Sequence, residues 1–241
     1  MNLALVAGCS AGGLLVGGVL DSISGRIERV PDAAEPSAEA VHGSVATAVA
    51  TRVPPAIEIA GSALLTAAAF GLAAARLGAA PVLAAYCALF AGLVAVSVVD
   101  ARIGIVPRAV LFPTFAAMAV GLVAASGVDH RWRPLAEAAI GGAIAFAVFF
   151  ALWWFFPRGL GYGDVRLAGV MGAGLGWIGL GELYVGFLAA FAIGAAVGVS
   201  LMVRNGTGRK TRLPFGPPLA VGAAIGVLWG AWAVHLWLHH S

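Results

Sequence analysis

The sequence predicts an all-α fold: a polytopic helical bundle in a membrane, with about eight transmembrane helices and the N-terminus outside. Three observations carry this reading. Of 241 residues, 61% are hydrophobic and only 10% are charged, against ~25% charged in an ordinary soluble domain. The mean hydropathy is +0.97. The apolar residues also gather in runs close to the roughly 20 residues that a bilayer-spanning helix needs.

These runs lie near 2–22, 56–76, 81–100, 108–126, 137–157, 164–180, 182–203 and 216–238. The sixth is short, and Gly161-Tyr162-Gly163-Asp164 at its start places that end at the membrane edge. Basic residues set the orientation. With the N-terminus outside, Arg26, Arg29, Arg52, Arg102, Arg108, Arg158, Arg166, Arg204, Arg209, Lys210 and Arg212 face the cytoplasm, while Arg76, Arg131 and Arg133 lie outside. That asymmetry follows the positive-inside rule. It accounts for the net charge of +3, so no nucleic-acid partner is implied.

The longest polar stretch, 26–55, contains Pro31-Asp32-Ala33-Ala34-Glu35-Pro36-Ser37 and reads as a flexible cytoplasmic loop. No soluble domain is visible, so residues 1–241 are expected to form one transmembrane domain. Leu5-Val6-Ala7-Gly8-Cys9 looks superficially like a lipoprotein cleavage box. It lacks a basic leading region, and the first run reads as a retained helix. Cys9 and Cys87 sit singly in apolar runs, as small buried side chains do. His42, His130, His235, His239 and His240 form no metal-ligand spacing with a carboxylate, so neither metal nor cofactor is expected.

Catalytic candidates emerge by elimination among the 11 acidic residues. Glu28, Asp32, Glu35 and Glu39 belong to the polar loop. Asp129 and Glu137 flank an outer loop, and Glu182 falls in a short outer turn. Glu58 begins the second run, where an acid suits the helix dipole, and Asp21 ends the first. Asp100 and Asp164 remain, each joined to a long apolar run, each with arginine nearby, and both on the cytoplasmic face by the charge-derived topology. On position alone, each could equally be an interfacial anchor paired with Arg102 or Arg166. A carboxylate at a membrane boundary is costly unless it is hydrated or paired, which makes such groups functional candidates.

Local context favours chemistry. Asp164 follows Gly161-Tyr162-Gly163 at a helix N-terminus, where the dipole and free N–H groups favour an anion. Asp100 lies at the C-terminal end of its helix, which disfavours one. Opposite helix ends would hold the two acidities apart, as acid–base catalysis by a pair requires. One carboxylate could then deprotonate a water while its protonated partner polarises a peptide carbonyl, with the protons belonging to the pair.

The residues in question resemble those of the type IV prepilin peptidases, a family of GxGD-type membrane aspartyl proteases. Asp100-Ala101-Arg102-Ile103-Gly104-Ile105-Val106-Pro107 is similar to the family's Asp-x-Arg-x-x-x-Ile-Pro segment, with Val106 for Ile and Arg108 where Asp or Asn is common. Gly161-Tyr162-Gly163-Asp164-Val165-Arg166-Leu167 resembles Gly-x-Gly-Asp-Val-Lys-Leu, with Arg166 for Lys, and Leu175-Gly176-Trp177 follows as in the family. Pro214-Phe215-Gly216-Pro217 is similar to the segment that opens the family's last helix. Gly17-Gly18-Val19-Leu20-Asp21-Ser22-Ile23-Ser24-Gly25-Arg26 resembles the family's N-terminal segment, with Asp21 for Asn.

The resemblance implies an aspartic endopeptidase with Asp100 and Asp164 as catalytic residues and Arg102, Pro107, Gly161, Gly163, Arg166, Pro214, Gly216 and Pro217 in support. Its implied substrate is a type IV prepilin or pseudopilin, bearing a short basic leader and one apolar helix. Cleavage is implied at the cytoplasmic boundary of a bacterial inner membrane. In many family members the N-terminal segment leads into a domain with two zinc-binding cysteine pairs, associated with N-methyl transfer. Here 26–55 stands in its place without a cysteine, which speaks against zinc and against methyl transfer. Presenilin-type proteases share a GxGD aspartate but carry Tyr-Asp at the first carboxylate, where this chain has Val99-Asp100. The alternative from another class is an ion- or proton-coupled transporter using the same two aspartates.

Overall fold

The computed structural model describes residues 3–27, 55–156, 159–205 and 215–240, and among them the regular structure is entirely helical. The order is α1 Leu3–Ile27, α2 Pro55–Leu77, α3 Leu83–Ile103, α4 Arg108–Asp129, α5 Arg133–Phe155, α6 Tyr162–Ile178, α7 Leu180–Asn205 and α8 Gly216–His240. Each predicted run corresponds to one of these helices. Helix is the outcome that apolar surroundings enforce, because it satisfies every backbone polar group within the segment. By length and composition, α2, α3, α4, α5 and α7 each contain a stretch able to cross a membrane. The chain is a polytopic helical membrane bundle.

Boundaries shifted where local chemistry outran hydropathy. The fifth helix starts at Arg133 rather than near 137, because Pro134 suits a helix's first turn and Arg133 Nε donates to Glu137 Oε1 at 2.8 Å. Glu182, expected in a turn, lies in the first turn of α7 and is buried.

Two helices form the centre. Tyr86, Leu89, Leu93 and Val96 of α3 and Leu167, Met171 and Leu175 of α6 are almost wholly buried, packed with Met118 of α4 and Leu219 and Val227 of α8. Around them the tightest pairs are α1 with α2, α5 with α6, and α7 with α8. Glycine explains the closeness of two of these seams. A Cβ on Gly176 would lie 2.7 Å from the Glu137 carbonyl oxygen across the α5–α6 seam, and one on Gly222 would lie 2.5 Å from that of Gly186 across α7–α8. Packing of this kind stabilises helix pairs in lipid, where no hydrophobic drive separates protein from solvent. By contrast, α4 touches α5 and α6 sparsely.

Candidate active site

The site is assembled from three helix ends that are remote in sequence. Helix α3 is stopped by Gly104, whose φ of 67° is left-handed and whose N–H donates to the Asp100 carbonyl at 2.9 Å. Pro107 then opens α4 with extended backbone, its carbonyl accepting from the N–H groups of Val110 and Leu111. Asp100 therefore occupies the last turn of α3, with only 4% of its surface exposed.

Its carboxylate does not end in apolar packing. Oδ2 accepts a hydrogen bond from the Gly216 N–H at 2.7 Å, across 116 residues of sequence. The chemistry of Gly216-Pro217-Pro218 accounts for this. Two prolines in the first turn of α8 supply no N–H groups, where intrahelical partners would be lacking anyway. The Gly216 N–H is left to meet the anion. A side chain at 216 would collide with that anion, since a Cβ there would lie 2.8 Å from Asp100 Oδ2.

Asp164 is the third residue of α6 and is 6% exposed. Its Oδ2 accepts from the Gly161 N–H at 3.1 Å, while its own N–H donates to the Gly161 carbonyl at 3.0 Å. This reciprocal cap seats the carboxylate on the positive end of its own helix. Gly163 has a different task. A Cβ there would sit 2.6 Å from Val106 Cβ, so glycine lets the α3–α4 connection press against the start of α6.

The three motifs thus converge: Val106 of the first meets Gly163 of the second, and Gly216 of the third caps Asp100 of the first. Both aspartates lie at one end of the bundle, and each accepts a backbone N–H at a helix N-terminus. Asp100 ends α3, and the N-terminus of α8 meets its carboxylate there.

The supporting residues divide. Arg102 lies half-buried in the last turn of α3. The guanidinium of Arg166 lies over the Tyr162 ring, 4.5 Å from its centre, and that ring packs on Trp153 at 5.2 Å. Pro214 and the side chain of Asp21 lie outside the described residues. Among the described residues, no group of three or more His, Cys, Asp or Glu side chains could hold a metal ion.

Two features went unread in the sequence. Phe149 of α5, Phe187 and Phe191 of α7 and Phe215 before α8 form an aromatic cluster with centroids 5.4–6.2 Å apart along its contacts. It packs the Phe-Gly-Pro segment beside Asp100, and no local pattern marks four phenylalanines from three segments as neighbours. The second is a pair of apolar cavities flanking the site. One, of about 420 Å³, runs between α2, α3 and α8 and reaches Ala101 and Pro217. The other, of about 590 Å³, lies where α4 stands off from α5 and α6, and Arg166 lines it.

Residues 87–199, which hold both aspartates, match the profile described as the Type IV leader peptidase family, Peptidase A24. Among curated proteins, the chain is 35% identical over 189 residues to the prepilin leader peptidase/N-methyltransferase of Burkholderia pseudomallei, covering 73% of this chain and 54% of that protein. It is 32% identical over 143 residues to the protein of the same name from Xanthomonas campestris, covering 57% and 47% respectively. The match thus spans about half the length of these relatives. No solved structure matches. With both aspartate motifs inside the matched region and joined in space through Val106 and Gly163, the chain belongs to the type IV leader peptidase family.

Proposed function

We propose that the protein is a membrane-embedded aspartic endopeptidase that removes the leader of type IV prepilins or pseudopilins, with Asp100 and Asp164 as its catalytic pair. The observation that carries this reading is the convergence at one end of the bundle: two buried carboxylates, each fixed by a backbone N–H, held by glycines that admit no side chain. Buried carboxylates fixed in this way suit a dyad. One, ionised, takes a proton from the attacking water; the other, protonated, donates to the scissile carbonyl as the tetrahedral intermediate forms. The caps constrain both groups before substrate arrives, which is where pre-organised geometry gains rate.

The substrate class rests on the named relatives. Flanking apolar cavities that reach Ala101, Pro217 and Arg166 suit an apolar helix arriving sideways from lipid. The excess of arginine and lysine in loops on the aspartate side supports a cytoplasmic site in a bacterial inner membrane, with the N-terminus outside.

The test is cleavage of a prepilin in reconstituted membranes. Asp100→Asn and Asp164→Asn should each insert normally and each lower the rate by roughly 10²–10⁴-fold, the range for losing an acid–base group. Mass spectrometry of the product N-terminus reports the cut. Full activity in either variant would sink the mechanism, and ion-dependent flux without cleavage would favour the transporter.

A further inference from the structure

The helices that carry the two aspartates also meet at their far ends. Tyr86, on the first turn of α3, is 1% exposed, and its hydroxyl donates to the carbonyl of Gly174 on α6 at 2.5 Å. Gly174 is itself a point of close approach, since a Cβ there would lie 2.5 Å from Leu89 Cδ2. Leu89, Met118 and Leu175 pack around this bond in the core, and the Glu182 carboxylate and Arg76 guanidinium lie within electrostatic range of the hydroxyl. Apolar contacts of this kind tolerate small sliding of one helix along another. A short buried hydrogen bond does not, because a displacement of about 1 Å takes it outside bonding distance and leaves a buried polar atom unsatisfied.

The bond is thus a fixed point between α3 and α6. Asp100 stands 14 residues along α3 from Tyr86 and Asp164 stands 10 residues along α6 from Gly174, spans of about 21 Å and 15 Å at helical rise. Both segments are unbroken helix over that length, so a relative slide at one end is carried towards the other.

Resting on the proposed aspartate pair, we propose that Tyr86 is a positioning residue for cleavage: its hydroxyl sets the register of α3 against α6 and thereby the mutual placement of Asp100 and Asp164. Tyr86 touches no substrate and moves no proton.

The test is Tyr86→Phe in the full chain, reconstituted in lipid, with kcat and KM measured on a prepilin. Misplacement of a reacting group by about 1 Å can cost on the order of 10²-fold; partial loosening is expected to lower kcat about tenfold while KM stays within about twofold. Spin labels on cysteines introduced at the exposed positions 105 and 159, with Cys9 and Cys87 replaced, should show a broader distance distribution in Tyr86→Phe than in the parent. Met118→Leu, which disturbs the same core without touching the bond, should leave both readouts unchanged.

Unchanged kcat with an unchanged distance distribution in Tyr86→Phe would overturn the inference. So would an equal loss in Met118→Leu, which would mark the role as packing alone. Asp100→Asn assayed alongside keeps the two readings apart. If it is inactive while Tyr86→Phe behaves as the parent, only the role of Tyr86 falls. If it is active, the catalytic pair falls, and the distance distribution alone decides whether Tyr86 sets helix register.

Discussion

Both ends of this bundle bury a carboxylate, and they do so differently. At one end, the segments that carry Asp100 and Asp164 meet through Val106 and Gly163, and the donor to Asp100 comes from a helix 116 residues away. At the other end, Glu182 sits 7% exposed in the first turn of its own helix. It is accommodated by Gly179 and Gly230: a Cβ on Gly179 would lie 2.6 Å from Glu182 Oε2, and one on Gly230 would lie 2.6 Å from Glu182 Cγ. Burial of an acid in lipid-facing protein therefore does not itself mark a site. A lone carboxylate near a helix N-terminus is stabilised by the dipole and needs no chemistry to explain it. Two at one end, with glycines conserving space for each, are harder to account for as anchors.

The contrast breaks most visibly at Gly216. Its replacement by alanine places a methyl 2.8 Å from the oxygen that the Gly216 N–H should meet, so the Asp100 carboxylate must move or lose its donor. Displacements of that order in a reacting group lower turnover by about 10–10²-fold. Gly216→Ala should lower kcat by that amount while the protein still inserts. Wild-type turnover would show that the cap on Asp100 is dispensable.

Gly163 probes the joint between motifs with a smaller effect. Alanine there would sit 2.6 Å from Val106 Cβ, an overpacking that costs about 1–3 kcal/mol in a well-packed interior. Thermal unfolding in detergent should show the loss for Gly163→Ala. Val106→Gly, which removes that opposing Cβ itself, should restore much of it in the double variant. Additive losses would mean that the two residues do not share one contact.

Much of this was legible in the sequence because a bilayer leaves the chain few choices. Apolar runs separated by basic loops became helices, and Asp100 and Asp164 stood out once the loop acids were set aside. What the residues could not disclose was tertiary. Nothing near Asp100 reveals that the N–H of Gly216 will cap it from 116 residues away. Tyr86 lies in the apolar run 81–100 and looks like one more large core residue until Gly174 comes opposite. Glu182 reads as a turn acid because it stands at the very start of the apolar run 182–203; the helix begins at Leu180, and the acid belongs to its dipole-stabilised first turn.

Glu182 also supplies the smallest and most discriminating expectation. Glutamine keeps the shape of the side chain between Gly179 and Gly230 and removes only its charge. The lost interaction with the positive end of α7 is worth about 0.3–1 kcal/mol at exposed sites and up to ~2 kcal/mol where partly buried. Glu182→Gln should therefore lower the unfolding midpoint modestly and leave kcat for leader cleavage within about twofold of the parent. Asparagine at 100 or 164 makes the same change, a carboxylate replaced by its isosteric amide, so size and burial are matched across the three variants. If Glu182→Gln abolished cleavage as those do, burial of charge anywhere in the bundle would be what activity requires, and the aspartate end would lose its distinction. If only the two aspartate variants fail, the difference lies in the pairing.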